Sequence, residues 1–265
     1  MNDIISAIIL GVVEGLTEFL PISSTGHLIL VNEFIAFEEN FTNLFDVVIQ
    51  FGAILAVVFF FWKKIIPFTG EREKNKKIID MWLKAIIGVL PAIIIGALFA
   101  SKIEEKLFNS WTVAITLFLG GIIILFIERK NHNPKINSIK DLGFKAAFYI
   151  GIIQCLSMIP GTSRAGATII GAMALGASRV VATEFSFFLA IPTMFAASAW
   201  SIINYWNLLN ASQLLILSIG FVVSFFVALA VIKFLMNYVQ KHNFKIFGWY
   251  RIVLGIIIII YFLVK

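Results

Sequence analysis

Long apolar runs separated by short polar loops dominate the pattern of hydrophobic and polar positions along the chain. A helix that crosses a bilayer needs roughly 17–25 mostly apolar residues. Six runs meet this requirement: about 45–62, 82–100, 111–127, 185–205, 213–236 and 247–264. Five tryptophans lie at the ends of these runs, where interfacial aromatic residues belong: Trp62, Trp82, Trp111, Trp206 and Trp249. The pattern therefore predicts six full transmembrane helices.

Two further apolar stretches, about 4–30 and 146–175, are interrupted by helix-breaking residues. Pro21 and Gly26 interrupt the first, and Pro160 and Gly161 interrupt the second. Irregular backbone at membrane depth is tolerated only where it is buried in protein or lines a cavity. We therefore interpret both stretches as re-entrant helical hairpins, each of which enters and leaves the membrane by the same face.

The two broken stretches also resemble each other. The segment G-V-V-E-G-L-T-E-F-L-P-I-S-S-T-G from Gly11 matches G-I-I-Q-C-L-S-M-I-P-G-T-S-R-A-G from Gly151, with single-residue slips. Three full spans follow each stretch. Because a hairpin returns to the face it entered and three crossings end on the opposite face, the second half begins on the other side of the membrane. The sequence thus predicts one all-α membrane domain over residues 1–265, an inverted repeat with halves at about 1–128 and 141–265. Sites in such folds lie near the midplane, where broken helices meet.

Composition and charge support a membrane protein and give it an orientation. The chain is 60% hydrophobic and 14% charged, whereas soluble domains average about 45–50% and about 25%. The net charge of +6 does not indicate a nucleic-acid partner, because the basic residues cluster in short loops. Segments 63–77, 129–145 and 233–245 are basic and should be cytoplasmic. Loops 101–110 and 206–212 carry no net charge, which predicts that both termini lie outside.

The first polar island contains two carboxylates. Glu14 and Glu18 are four residues apart, so they share one face of a helix. In a buried site such a pair calls for a divalent cation, Mg²⁺ or Ca²⁺, or a shared proton. The alternative is two surface glutamates on an amphipathic helix, but no Lys or Arg accompanies them.

Both islands also predict new helix N-termini. Pro21 ends a helix, and Ser23, Ser24 and Thr25 are residue types that cap the next one. A helix N-terminus offers unpaired N–H groups and a positive dipole end, which bind phosphate. Ser23 and Thr25 are therefore the candidate phosphate ligands of the first island.

The second island repeats this arrangement and adds a cation. Ser163, Arg164 and Thr168 are the candidate phosphate ligands there, because a guanidinium grips phosphate oxygens bidentately. Capping alone is the equally strong alternative for Ser23 and for Thr162, whereas a functional role is favoured for Ser24 and Ser163.

His27 lies three residues after Ser24, near enough within one helical turn to exchange protons with it. We accordingly predict a catalytic set of four residues: Glu18, Ser24, His27 and Arg164. Four further residues are predicted to support the site. Gln50 and Gln154 can complete hydrogen bonds around it. Asp46 and Glu184 either belong to the site or hold the hairpins against the following spans.

Together, E-G-x-T-E-F-x-P-x-S-S-T-G-H and P-G-x-S-R-x-G-x-T resemble the motifs of the bacterial undecaprenyl-diphosphate phosphatases, the bacitracin-resistance family. The resemblance covers essentially the whole chain. It implies hydrolysis of undecaprenyl diphosphate to the monophosphate carrier of cell-wall synthesis, a divalent cation, a site open to the outer face of the bacterial inner membrane, and a homodimer. Ala165 departs from the family pattern, which commonly has serine there, so a hydroxyl role is in doubt at that position.

Two other classes of protein remain as alternatives. Inverted repeats with broken helices are the architecture of secondary transporters, so a transporter or flippase of anionic lipid phosphates is the main one. A glutamate pair beside a serine and a histidine is more than a transporter needs. The soluble-lipid-phosphatase type of membrane enzyme expects several arginines and histidines in its motifs, and here only His27 and Arg164 are available.

Overall fold

The computed structural model describes residues 3–35, 37–130, 133–205 and 209–264. Over these residues the chain contains eleven α-helices and no β-strand. The first half contains α1 (Asp3–Thr17), α2 (Ser24–Asn32), α3 (Glu39–Phe60), α4 (Trp62–Ile65), α5 (Arg72–Leu107) and α6 (Ser110–Lys130). The second half contains α7 (Phe144–Gln154), α8 (Arg164–Ala174), α9 (Arg179–Tyr205), α10 (Ala211–Lys241) and α11 (Lys245–Val264).

Six of these helices are long and apolar enough to cross a membrane: α3, α5, α6, α9, α10 and α11. They coincide with the six predicted runs, so the prediction of six spans is confirmed and the chain is a multi-pass membrane protein. The largest difference is at α5, which extends beyond the run 82–100 at both ends. The extensions are rich in Lys and Glu, which favour a helix in water as well as at the interface. Of the predicted loop 206–212, residues 206–208 lie outside the described residues.

Both broken stretches have the same local geometry. In each, an α-helix stops, the chain turns, and a new α-helix begins behind a serine with positive φ. In the second stretch the turn includes a 3₁₀ helix over Cys155–Met158. These serines are Ser23 (φ 74°) and Ser163 (φ 71°), and their hydroxyls accept hydrogen bonds from the backbone N–H groups of Gly26 and Gly166. Capping, which the sequence left as one of two equal alternatives for Ser23 and for Thr162, is therefore seen at Ser23, whereas in the second stretch the cap is Ser163, one residue after Thr162. Positive φ at a non-glycine residue costs of the order of 1–3 kcal/mol and often marks a functional site.

The broken helices pack inside the bundle against long spans. Helix α1 lies against α10, and α7 lies against α5. The contact between α7 and α5 brings the two backbones together at Gly151 and Gly88, where a Cβ on Gly151 would overlap the carbonyl group of Gly88. Small residues allow such close approach between membrane helices. The segment between α1 and α2 is thereby largely buried, whereas the segment between α7 and α8 is buried at Pro160 and Gly161 and exposed at Leu156.

Candidate functional site

Glu18 links the two new helix N-termini. One carboxylate oxygen, Oε2, accepts a short hydrogen bond from the hydroxyl of Ser24, and the other, Oε1, lies 2.7 Å from Nη2 of Arg164. Ser24 and Arg164 are the first residues of α2 and α8, so equivalent positions of the two broken stretches meet on one carboxylate. All three side chains are largely buried. Desolvation strengthens these charge-assisted contacts relative to similar contacts in water.

The guanidinium of Arg164 is held from several sides. Its Nη1 donates to the carbonyl oxygen of Ser186 at 3.2 Å, and its plane lies over the ring of Phe19, 5.8 Å from the centroid. The Thr168 hydroxyl lies 2.6 Å from the Ser186 hydroxyl and 2.9 Å from the Arg164 carbonyl oxygen, to which it donates. Thr168, predicted as a phosphate ligand, is thus placed behind Arg164. The arrangement orients the planar fork of Arg164 toward Glu18.

A cavity of about 120 Å³ opens beside this cluster. A water molecule occupies about 30 Å³ of the liquid, so the cavity has room for a group of the size of a phosphate. It is lined by both islands and by three residues outside them, Gln50, Ser157 and Met194. The residues from the islands are Glu18, Ser23, Ser24, Thr25, Pro160, Gly161, Ser163 and Arg164. A second, more open cavity of about 890 Å³ shares Thr25 and Gln50 with the first. The two cavities adjoin at these residues, and the second extends to the end of α2 and the start of α3.

Glu14 is fully buried on α1, one turn before Glu18. In the part of the chain that the structure describes, neither of its carboxylate oxygens has a hydrogen-bond partner. No group of three or more His, Cys, Asp and Glu side chains that could hold a metal ion comes together among these residues. Oδ1 of Asp46 on α3 is likewise buried without a hydrogen-bond partner there. Mg²⁺ is commonly bound by one or two carboxylates together with substrate phosphates. The free oxygens of Glu14 therefore fit a hard divalent cation.

His27 uses both ring nitrogens away from Ser24. Nδ1 lies 2.7 Å from the carbonyl oxygen of Ser23, and Nε2 lies 2.7 Å from the hydroxyl of Tyr250 on α11. Because a carbonyl oxygen only accepts, Nδ1 carries the proton, and in the neutral ring Nε2 accepts from Tyr250. The rings of His27 and Tyr250 also stack, with an interplanar angle of 6°. The structure therefore brings His27 to Tyr250, and it places Ser24 against Glu18 instead.

The four supporting residues occupy different places. Asp46 on α3 accepts a 3.1 Å hydrogen bond from Asn32 at the end of α2, and so connects the first broken stretch to the following span. Glu184 on α9 pairs with Lys64 at 2.6 Å. Gln154 is buried, with Nε2 3.5 Å from the hydroxyl of Thr193. Only Gln50 of this set lines the small cavity.

Arg251 on α11 is the central residue that the sequence analysis missed. It is 1% exposed, and it donates to five main-chain carbonyl groups at 2.9–3.4 Å. Three of these groups belong to the breaks, and two belong to α6: Pro21, Gly161, Thr162, Thr116 and Leu117. A charged residue inside a predicted span is costly and marks function. This signal was available in the run 247–264.

Comparison with known proteins agrees with the motifs. Residues 7–257 match the family described as Bacitracin resistance protein BacA. The chain is similar to Undecaprenyl-diphosphatase 1 of Clostridioides difficile (strain 630), with 51% identity over 98% of this chain and 96% of that protein. It is also similar to the Undecaprenyl-diphosphatase of Acetivibrio thermocellus, with 48% identity over 99% of both chains. A third relative, the Undecaprenyl-diphosphatase of Enterococcus faecalis, is 47% identical over 97% of this chain and 96% of its own.

Proposed function

Since the chain belongs to the bacitracin resistance protein BacA family, we propose that it hydrolyses undecaprenyl diphosphate at the cluster of Glu18, Ser24 and Arg164. The products are undecaprenyl phosphate, which returns as the lipid carrier for cell-wall synthesis, and inorganic phosphate. This activity confers bacitracin resistance. The observation that carries the proposal is the single carboxylate of Glu18, which contacts the hydroxyl of Ser24 and the guanidinium of Arg164 beside a phosphate-sized cavity.

The geometry supports a nucleophilic role for Ser24. Its hydroxyl donates to Glu18, so Glu18 takes the proton as Oγ forms a bond to the terminal phosphorus. The bond from that phosphorus to the bridging oxygen breaks, and undecaprenyl phosphate leaves. Glu18 gives that proton to the leaving phosphate and is ionised again. It then takes a proton from the water that attacks the phosphoserine, and returns it to Oγ of Ser24 as the bond from Oγ to phosphorus breaks and inorganic phosphate leaves. Arg164 donates to the phosphoryl oxygens, on which negative charge develops.

We further propose that Glu14 and Glu18 hold a divalent cation, Mg²⁺ or Ca²⁺. The support is the buried carboxylate of Glu14, for which the described residues provide no partner. When bound, the cation supplies positive charge that neutralises the diphosphate. Glu14 has the role of holding this charge close to the cavity, whereas Glu18 is shared with Ser24.

The two broken stretches are proposed to be re-entrant hairpins in an inverted repeat. In this repeat α1, α3, α5 and α6 correspond to α7, α9, α10 and α11. The packing of α1 on α10 then corresponds to the packing of α7 on α5, which is the pattern that a pseudo-twofold axis in the membrane plane produces. The matching positive φ of Ser23 and Ser163 is a second support.

The site is proposed to face the outer side of the bacterial inner membrane, with both termini outside and the basic segments 63–77, 129–145 and 233–245 inside. Single cysteines at Lys74 and Asn109, in a Cys155→Ser background, test this orientation. A membrane-impermeant thiol reagent added to intact cells should label Asn109→Cys and leave Lys74→Cys unmodified. The opposite labelling would overturn the orientation and leave the hydrolytic proposal untouched.

We propose two partners within the membrane: the polyisoprenyl diphosphate substrate and a second copy of this chain. The homodimer is the expectation from the family resemblance. Its test is the mass of the protein in detergent and in lipid nanodiscs. A monomeric mass in detergent and in nanodiscs, together with full activity, would contradict the proposed homodimer.

The activity is tested with purified protein in detergent. With Mg²⁺ or Ca²⁺ present, it should release inorganic phosphate from undecaprenyl diphosphate, and Ser24→Ala should abolish nearly all release. Ser218→Ala is the matched control, because that exposed hydroxyl only donates to the carbonyl oxygen of Leu214. A loss of only about tenfold in Ser24→Ala would assign Ser24 a positioning role. If the protein releases no inorganic phosphate but moves lipid phosphates across the bilayer of vesicles, the alternative function as a transporter would be favoured.

A further inference from the structure

Two neighbouring cavities far from the cluster contain lysines that the proposed reaction does not use. The first, which we call the aromatic cavity, has a volume of about 800 Å³ and lies beside α4 and the last turns of α10. The second, the lysine cavity, has a volume of about 250 Å³ and lies between α4, the start of α5 and α9. Lys63 and Lys64 on α4 line both cavities, so they lie at the common boundary.

The aromatic cavity has the character of a site for a hydrocarbon chain. Phe59, Phe60 and Trp62 line it, and Phe59 and Trp62 are 64% and 56% exposed. Phe59 and Phe60 end the apolar span of α3 and Trp62 begins α4, so these residues lie where the hydrocarbon region meets the headgroups. The cavity is therefore continuous with the lipid-facing surface of α3.

The lysine cavity has an excess of positive charge. Four ammonium groups around it have no hydrogen bond or ion pair to any described residue: those of Lys63, Lys74, Lys77 and Lys140. The other charges are already paired, Lys64 with Glu184 at 2.6 Å and Asp80 with Lys84 at 2.5 Å.

The floor of the lysine cavity is apolar, since Ile78, Met81 and Phe188 are buried there. Four unpaired cations thus surround an apolar floor beside an aromatic wall. This combination complements a ligand that is both anionic and amphiphilic.

We propose that the aromatic and lysine cavities together bind one anionic phospholipid of the membrane leaflet at this end. Its phosphate lies among Lys63, Lys74, Lys77 and Lys140, and an acyl chain lies along Phe59 and Trp62. Basic pockets between transmembrane helices are known to bind anionic headgroups. Free phosphate would leave the aromatic wall uncovered, and a zwitterionic lipid would leave the excess charge unbalanced. An isoprenyl phosphate shares the chemistry of the headgroup and is separated from a phospholipid by competition.

Trp62 provides the reporter for the test, because brominated acyl chains quench a tryptophan that they touch. The protein is reconstituted in phosphatidylcholine vesicles that contain brominated phosphatidylglycerol or, in a parallel sample, brominated phosphatidylcholine. The signal of Trp62 is the difference between the native chain and Trp62→Phe. Half-quenching should require several-fold less brominated phosphatidylglycerol than brominated phosphatidylcholine.

Charge neutralisation shows whether the lysines cause the preference. The triple variant Lys74→Gln, Lys77→Gln and Lys140→Gln should lower the preference for phosphatidylglycerol over phosphatidylcholine about tenfold or more. The reason is that each lysine near an anionic surface contributes measurably to the free energy of binding. Lys135→Gln, Lys145→Gln and Lys245→Gln form the control, with the same charge change outside both cavities. Equal quenching by the two lipids, or equal loss in both triple variants, would overturn the proposal. Displacement of phosphatidylglycerol by an equimolar isoprenyl phosphate would also overturn it.

Discussion

The guanidinium of Arg251 donates a hydrogen bond of 3.2 Å to the carbonyl oxygen of Pro21, 230 residues earlier in the chain. The same Nη1 donates to the carbonyl oxygen of Thr162 at 2.9 Å, so a single nitrogen joins the two breaks. No carboxylate balances this buried cation among the described residues. Main-chain dipoles compensate its charge instead: three come from the segments that precede Ser24 and Arg164, and two come from α6.

The first prediction concerns this connection. Arg251→Lys keeps the charge but offers three donors on one nitrogen in place of a planar fork. The breaks should then separate slightly, and a misplacement of about 1 Å between reacting groups can lower kcat by about 10²-fold. Phosphate release is measured at a temperature where circular dichroism shows the variant to be fully folded. Arg129→Lys is the control, because Arg129 is exposed at the end of α6. A near-normal kcat in Arg251→Lys would show that Arg251 is not needed to position the site.

Much of the fold was predictable because membrane spans depend on local properties. Apolar length predicted the six spans, and Pro21 and Pro160 predicted where the two remaining helices break. The carboxylate of Glu18 and the guanidinium of Arg164 were also predicted from their cost in apolar surroundings. These inferences need only the neighbouring residues, so a single sequence suffices for them.

Contacts between distant segments were beyond the sequence. The partners of Arg251 are carbonyl groups, which every residue has, so no side-chain pattern announces them. His27 lies one turn from Ser24, and only the packing of α11 shows that it meets Tyr250. Ser163 rather than Thr162 caps α8, because the backbone turns at Ser163 through a positive φ that composition does not reveal.

The second prediction separates the two carboxylates. Glu18→Gln removes the charge that accepts from Ser24 and pairs with Arg164, so kcat should fall by about 10²–10⁴-fold. Glu14→Gln leaves those contacts in place, and its main effect should be a higher concentration of Mg²⁺ or Ca²⁺ for half-maximal activity. Both variants are compared by metal titration of phosphate release, after membrane insertion has been verified. If turnover and metal requirement survive both substitutions, the cation binds elsewhere.

The third prediction concerns His27 and Tyr250. The hydrogen bond between them should stabilise the contact of α2 with α11, so Tyr250→Phe and His27→Phe should each lower thermal stability. The double variant should lose less than the sum, with a coupling of about 1 kcal/mol. Additive losses would contradict this pairing. A large loss of kcat in His27→Phe with a normal kcat in Tyr250→Phe would instead support the proton exchange with Ser24 that the sequence suggested.

The last prediction is for Arg164→Lys. Arg164 pairs with Glu18 at 2.7 Å and donates to the Ser186 carbonyl oxygen at 3.2 Å, so its fork is oriented beside the cavity. Lysine retains the positive charge and loses the planar, bidentate geometry that matches phosphate oxygens. If Arg164 stabilises charge on the phosphoryl group in the transition state, kcat should fall by about 10²-fold or more, and KM should rise.

The competing role for Arg164 is structural, because an arginine can also serve only to neutralise Glu18. Lysine neutralises a carboxylate as well as arginine does, so under that role kcat in Arg164→Lys would be near normal. Arg179→Lys is the matched control, since Arg179 pairs with buried Glu128 at 2.5 Å outside the cavity. A loss of kcat in Arg164→Lys that exceeds the loss in Arg179→Lys, with both proteins folded, assigns Arg164 to phosphoryl transfer. Equal kcat values in the two variants would leave it as the counter-ion of Glu18.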